Sequence, residues 1–454
     1  MRTKLIIAAV AGAFAALAIG AVVWYTHRTP PSGELESNPT GVTVVTPKAK
    51  PTPKKKKKPH KPKYVVDKPC WLNFGGDPQR SLAREDIHLG KPTRVLWARA
   101  MGGYMEYPPS YCNGTLYVNN YHGATFAVDA RTGNVLWKRK GQGPKPSTPA
   151  IAGDRLIVSS TGGTVTAFDR ESGRVLWQLR TDAKVESSPV AIRNTAYFGA
   201  TDGRLFAVNV TNGRLRWVYN TGGRINASPS IYGNRICIST YAGSIFCLNR
   251  LNGHKLWSTY VKRDPFRYES FYASPSTDGL RLFSVSRDGK VVAVSARNGH
   301  VLWTHNLNTT GYTTPAVAYG RVYVGGFDGY IRAYNAATGR QVWATYVGGR
   351  ILGPPVVIGN LVFAANLETK TFAVRASDGK RVWRIDMGKY SPLIATDEHY
   401  YMTLNGMLVA FRGQHSPREQ NAHPARAGAK SAGDGGAARV VTAAGRKHSR
   451  AKQR

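Results

Sequence analysis

The chain reads as an all-β protein: an eight-bladed β-propeller with four-stranded blades and a split closing blade, preceded by one N-terminal transmembrane helix. Three observations carry this. Eight tryptophans, Trp97, Trp137, Trp177, Trp217, Trp257, Trp303, Trp343 and Trp383, stand 40 residues apart in six gaps and 46 in one. A period of this length with strand-like content marks a propeller or array. Each period holds four short apolar segments separated by turn residues, as blades packed on both faces require. Finally, a 21-residue uncharged and mostly apolar run, Leu5 to Tyr25, opens the chain.

At about 1.5 Å per helical residue that run spans roughly 30 Å, the thickness of a bilayer core. It exceeds the roughly 7–15 apolar residues of a cleavable signal, so residues 1–26 are read as a retained anchor. Its Ala- and Gly-rich stretch keeps cleavage open as an alternative. Arg2 and Lys4 precede the run, while Arg28 after it is offset by Glu34 and Glu36. Positive-inside bias then places the N-terminus in the cytoplasm and the rest of the chain outside. The lysine cluster further on would reverse this if read as a cytoplasmic determinant.

Residues 27–67 read as a Pro/Lys-rich disordered linker, with nine lysines between Lys48 and Lys63. Such a segment repels itself and favours an extended spacer, or grips anionic headgroups or polymers. Residues 414–454 carry nine Lys or Arg and almost no large apolar side chains; a basic disordered tail is expected. Formal charge over the 454 residues is +37, from 63 Lys and Arg against 26 Asp and Glu. That balance points to anionic partners. Four cysteines, Cys70, Cys112, Cys237 and Cys247, contain no C-x-x-C, which argues against a zinc ribbon or a thioredoxin motif. Two disulfides and four thiols both remain open. Cys237 and Cys247 face each other if their hairpin turn has three residues, and point apart if it has two.

The propeller is placed at residues 68–413. One unit, residues 187–219, has strand candidates Pro189–Ile192, Ala196–Gly199, Leu205–Asn209 and Leu215–Tyr219. Asp202-Gly203 and Asn212-Gly213 are turn signals between them. Seven copies run from a Pro to a Trp. An eighth starts at Pro392 and ends without a Trp, and Thr93–Ala98, carrying Trp97, is expected to complete it and close the ring.

The stretch from third to fourth strand reads AVDARTGNVLW (127–137), AFDRESGRVLW (167–177) and AYNAATGRQVW (333–343). It resembles the tryptophan-docking motif A-x-D-x-x-T-G-x-x-x-W of the PQQ-type, or quinoprotein-like, β-propeller repeat family, and the resemblance covers nearly all of 71–413. It implies that each indole packs on the next blade's turn, a structural role for all eight tryptophans. At the Asp position the chain drifts to Arg375, which is expected to weaken docking in that blade.

The family includes PQQ-dependent dehydrogenases, which hold quinone and calcium at the propeller mouth and often carry a disulfide of adjacent cysteines. This chain has no adjacent cysteines and no long insertions to roof such a site. It is more similar to non-catalytic BamB-like propellers, though without a lipobox. The expected function is a membrane-anchored, non-catalytic binding or scaffold protein of the cell envelope. It would contact envelope proteins or anionic polymers, with no cofactor and no metal. The alternatives are a quinoprotein dehydrogenase using PQQ with calcium, and then a nucleic-acid binder.

A binding site is expected where the fourth strand of one blade passes to the first strand of the next. Three residues before each Pro stand Glu106, Pro146, Glu186, Asn226, Tyr272, Tyr312, Leu352 and Lys389. Two positions further back, Lys184, Arg224 and Arg350 form a candidate anion-facing set. The plain alternative is a ring of solvated loop residues. The longer gap carries KRDPFRYESFY (262–272), in which Arg263, Phe266, Arg267, Tyr268 and Phe271 form a candidate contact surface, because Arg and aromatic residues favour interfaces; packing of these side chains against the blade edge is the equal alternative.

Overall fold

The computed structural model describes residues 34–36, 42–45, 70–261, 271–390 and 393–416. The expected anchor, most of the linker, nearly all of the tail, and the insertion residues Arg263, Phe266, Arg267 and Tyr268 lie outside them, as does Pro392. Among the described residues no helix is long and apolar enough to cross a membrane.

Eight antiparallel sheets each take four strands from consecutive or ring-closing sequence. The third blade shows the pattern, with strands Val190–Ile192, Thr195–Gly199, Arg204–Asn209 and Leu215–Asn220 running outward from the axis. The eighth blade is split. Ile394–Ala395, His399–Leu404 and Met407–Gly413 are completed by Pro92–Ala100, with Ala410 opposite Trp97. Covalent continuity thus ends where it began, and the ring has no unpaired seam. Gln414 and His415 continue past it, their amides bonding to Lys91 O and Leu89 O at 2.9 Å each.

Within the linker, two short segments pair with outer strands. Glu34–Glu36 lies along Leu215–Asn220, and Thr43–Val45 along Val175–Arg180. These two blades are therefore five-stranded, and the linker, expected to be disordered, is ordered over these two segments. The seventh blade is five-stranded too, because Ala83–Arg84 runs parallel to Val356–Ile358 at its inner edge.

Tryptophan docking is made in hydrogen bonds. Indole Nε1 donates to the next blade's turn carbonyl from Trp97 to Ala130 (3.1 Å), Trp137 to Arg170 (3.0 Å), Trp177 to Val210 (2.8 Å) and Trp217 to Arg250 (3.0 Å). Trp257, Trp303 and Trp343 do the same to Ala296, Ala336 and Ala376. The motif glycine explains why the ring fits. At Gly173, with φ +67°, a Cβ would stand 2.6 Å from the Trp137 ring. Glycine supplies both the left-handed turn and the space.

The Arg375 blade departs from expectation. Trp343 still donates to Ala376 O at 3.1 Å, and Gly379 still lies under its ring. There the turn is held from the other side, by Asp378 accepting from Arg375 Nη1 at 2.7 Å and from Lys380 N at 3.0 Å.

Inside each blade a row of three side chains crosses the sheet. A large residue on the second strand faces a small one on the third, which faces the Trp of the fourth. Tyr197, Ala207 and Trp217 are one such row, with the outer rings 5.8 Å apart. Tyr117, Phe283, Tyr323, Phe363 and Tyr401 take the same place in five other blades. The fourth blade differs: Cys237 and Cys247 form a disulfide there, beside Trp257. Its hairpin turn has three residues, Tyr241 to Gly243, since Thr240 N bonds Ser244 O. A second disulfide, Cys70–Cys112, fastens the segment before the first blade.

Candidate functional site

The segment from Trp71 to Leu82 crosses one end of the central channel and bonds to every blade. Amide donors and acceptors join Trp71 to Tyr111, Leu72 to Ile151, Pro78 to Ile231, Gln79 to Thr277, Ser81 to Val317 and Leu82 to Val357. The Trp71 indole reaches Ala395 O, and Arg80 Nη2 reaches Ser188 O at 2.9 Å. These contacts complete all eight blades, and the channel is spanned on the side of the first-to-second-strand hairpins. Arg80 is fully buried on the axis, donating also to Pro229 O and Phe74 O. Burial pulls its pKa below the ordinary arginine value, and Asp77 opposes this. Three carbonyls replace the water a guanidinium gives up.

Above this floor the connections between blades build the wall. The residue before each strand-leading proline carries a hydroxyl in blades two to six, and neighbouring blades are stitched through them. Thr148 N donates to Ser188 Oγ (3.0 Å), Ser188 N to Ser228 Oγ (2.8 Å), Ser228 N to Ser274 Oγ (2.8 Å) and Ser274 N to Thr314 Oγ1 (3.1 Å).

At the open end lies a cavity of about 380 Å³. Phe74, Ser228, Ser274 and Thr314 line it together with Glu106, Asn226, Tyr272, Tyr312, Phe327 and Tyr390, and Tyr107, also in the lining, meets the Phe74 ring edge to face at 5.7 Å. The aromatic rings form a belt. Tyr272 and Tyr312 meet edge to face at 5.7 Å, Tyr312 and Phe327 lie 5.4 Å apart, and Tyr104 joins Tyr121 at 5.1 Å and Tyr390 at 5.7 Å.

The sequence-derived set divides on this geometry. Glu106, Asn226, Tyr272 and Tyr312 line the cavity. Glu186 and Arg224 flank it: Asn226 Nδ2 donates to Glu186, Arg224 Nε donates to Asn226 Oδ1 at 2.8 Å, and Arg224 lies 5.2 Å from the Tyr241 ring. Lys389 sits over the Tyr390 ring at 5.4 Å. Lys184 and Arg350 are exposed on separate connections. Phe271, from the insertion, is buried at 1 % exposure against Cys237, Cys247 and Trp257. Counting back from the prolines missed Phe327, which sits on a second-to-third-strand turn. It missed Tyr107 and Tyr390 by one residue each.

Electrostatically the mouth is mixed. Burial raises the Glu106 carboxyl pKa, the Tyr121 hydroxyl bond lowers it, and nearby Glu186 raises it further. Burial pushes the Tyr272 hydroxyl up to about 12, with Glu106 adding to the effect. The Tyr272 hydroxyl is therefore protonated and hydrogen-bonding across the ordinary pH range. Among the described residues no three His, Cys, Asp or Glu side chains group as a metal site.

The structure is similar to solved propellers of differing roles, at sequence identities that carry the fold alone. BamB from Moraxella catarrhalis matches over 70 % of this chain and 99 % of its own, at 14 % identity and a TM-score of 0.61. A europium-containing methanol dehydrogenase matches over 76 % and 98 %, at 14 % identity and a TM-score of 0.66. The quinohemoprotein alcohol dehydrogenase from Comamonas testosteroni matches over 76 % and 80 %, at 13 % identity and a TM-score of 0.63. No curated protein matches the chain. The profile of the family described as outer membrane protein assembly factor BamB matches residues 85–265 and 242–352. Those stretches run through more than half of the 454 residues, with the docking tryptophans recurring along them, and the chain belongs to that family.

Proposed function

We propose that this protein is a non-catalytic binding scaffold of the cell envelope. In this reading the N-terminal segment holds it in the cytoplasmic membrane with the N-terminus inside. The propeller stands outside and offers its channel mouth to envelope proteins. The observation that carries the proposal is the blind, aromatic-belted cavity. Rigid tyrosines give amphipathic contact area at small entropy cost. The volume falls in the roughly 300–1,000 Å³ range of ligand clefts, and it suits a few side chains of an extended partner.

The donor set favours this over quinoprotein chemistry. Calcium takes about 6–8 oxygens. The mouth offers Glu106, bonded to Tyr121, and Glu186, bonded to Asn226. Tyrosine stands at Tyr272 on the following blade. These residues do not fit a calcium-held quinone. Both disulfides, Cys70–Cys112 and Cys237–Cys247, support a place outside the cytosol.

Two measurements test the proposal together. Protease added to intact, wall-stripped cells should digest the propeller while a cytosolic control survives. Titration of the purified protein with PQQ and calcium should show no saturable binding and no alcohol- or sugar-dependent dye reduction. Protection until the membrane is broken would overturn the location, and quinone-dependent dye reduction would overturn the scaffold role.

A further inference from the structure

The propeller's charge is not spread evenly around its side wall. Three consecutive blades, the seventh, eighth and first, each carry two or three cations and no carboxylate on their outermost strands. Arg381–Ile385 carries Arg381 and Arg384. Pro92–Ala100 carries Arg94 and Arg99. Val135–Lys140 carries Lys138, Arg139 and Lys140. All seven side chains are exposed. The outermost strands of the fourth, fifth and sixth blades, Lys255–Tyr260, Val301–Asn306 and Gln341–Tyr346, carry Lys255 as their one Lys or Arg. The same number of strands thus holds seven fixed cations on one side and one on the other.

Few of the seven charges are spent internally. Among the described residues, the ion pair on this stretch is Arg384 with Asp386 at 2.7 Å. Arg99 and Arg139 anchor on backbone, donating to Gly133 O at 2.8 Å and Gly173 O at 2.9 Å. These bonds neutralise no charge and hold the two guanidinium groups in place across the blade boundaries.

We propose that this rim is a docking track for a linear, flexible polyphosphate polymer that follows the side wall across the three blades. The proposal builds on the envelope role given above, and it adds a second site remote from the mouth. Shape selects the ligand. The side wall is convex, so a flat bilayer meets it along a line and reaches the cations of one blade or two. A stiff duplex is limited in the same way. A flexible chain of phosphates bends along all three blades, releasing counterions at each contact.

The test uses the full-length protein, so that its other basic segments contribute equally to every variant, and long-chain inorganic polyphosphate as the probe. A rim variant, Arg94→Gln with Lys138→Gln and Lys140→Gln, avoids the clamping arginines. It is compared with Arg216→Gln plus Lys255→Gln on other blades, all at matched thermal midpoints. The rim variant should bind at least about tenfold more weakly, and its log–log salt slope should fall by about 2; the control should change less than twofold. Unchanged binding by the rim variant would overturn the track, as would equal weakening by both variants. Tighter rim-dependent binding of anionic vesicles or of duplex DNA than of polyphosphate would also overturn it. None of these results touches the mouth, whose occupancy is read separately by cross-linking.

Discussion

Cys237 faces Cys247 across the second and third strands of the fourth blade, with their Cα atoms 4.2 Å apart. Six other blades fill this place with an aromatic ring over an alanine. The bridge takes the space of that pair beside Trp257, so a covalent link substitutes for ring packing within one row of the core.

This substitution predicts a graded response to its removal. Closing a loop of about 10 residues restrains the unfolded chain by roughly 3 kcal/mol on the chain-entropy account. Cys237→Ala with Cys247→Ala should lose that amount plus the packing of a cavity. Cys237→Tyr with Cys247→Ala should recover part of it, because it restores the row used by the neighbouring blades. Denaturant melts of the two variants check this; equal losses would show that the row is not interchangeable between blades.

Tryptophan docking predicts unequal costs around the ring. Trp217 is 6 % exposed and donates to Arg250 O at 3.0 Å, so Trp217→Ala should cost about 3–5 kcal/mol. Trp383 precedes the split blade, which lacks the Thr-Gly turn, and it is only partly buried. Trp383→Ala should cost clearly less, as paired thermal melts would reveal.

Lys145 predicts a pH effect. The equivalent residue in five other blades is apolar and buried: Met105, Val185, Ile225, Phe271 and Ile351. Lys145 is 5 % exposed, and its Nζ donates to Thr125 Oγ1 at 2.8 Å. Burial lowers its pKa to about 8. Between that value and the unfolded value of about 10.4 the unfolded chain binds more protons, so stability from this group rises with pH across the window. Below pH 8 the buried charge costs a constant amount. Lys145→Met should therefore be more stable than the parent at pH 7, on the order of 2–3 kcal/mol, and its advantage should shrink from pH 8 to 10. An advantage independent of pH would assign the effect to packing.

Glu106 titrates with the opposite sense. Its carboxyl pKa is raised, burial first. Between the unfolded value, about 4.3, and the raised folded value, the folded state holds more protons and stability falls as pH rises. Glu106→Gln should match the parent at pH 4 and exceed it at pH 7. Melts across that interval decide it.

The ring itself was legible because its causes are periodic: a Trp, a turn glycine and a strand-leading proline recur wherever a blade repeats, and Thr93–Ala98 fits the gap left after Phe411. The floor was not legible. Trp71 to Leu82 reaches all eight blades mainly through backbone groups, which leave no side-chain pattern, and Arg80 looks like any surface arginine until its carbonyl partners are seen. The mouth was half legible. Tyr272 and Tyr312 follow the proline count, while Phe327 comes from a different turn of its blade. Lys145 stands four residues before its proline, one place outside the column that the proline count picks out.

The central claim, that the belted mouth is the binding face, is tested most directly by photo-cross-linking in intact cells. A photoreactive phenylalanine at Tyr312 samples the mouth, and one at Asn360 samples the opposite face. The account predicts discrete cross-links to envelope proteins from Tyr312 and none of the same species from Asn360. Identical species from both positions, or none from Tyr312 while Asn360 captures them, would contradict it.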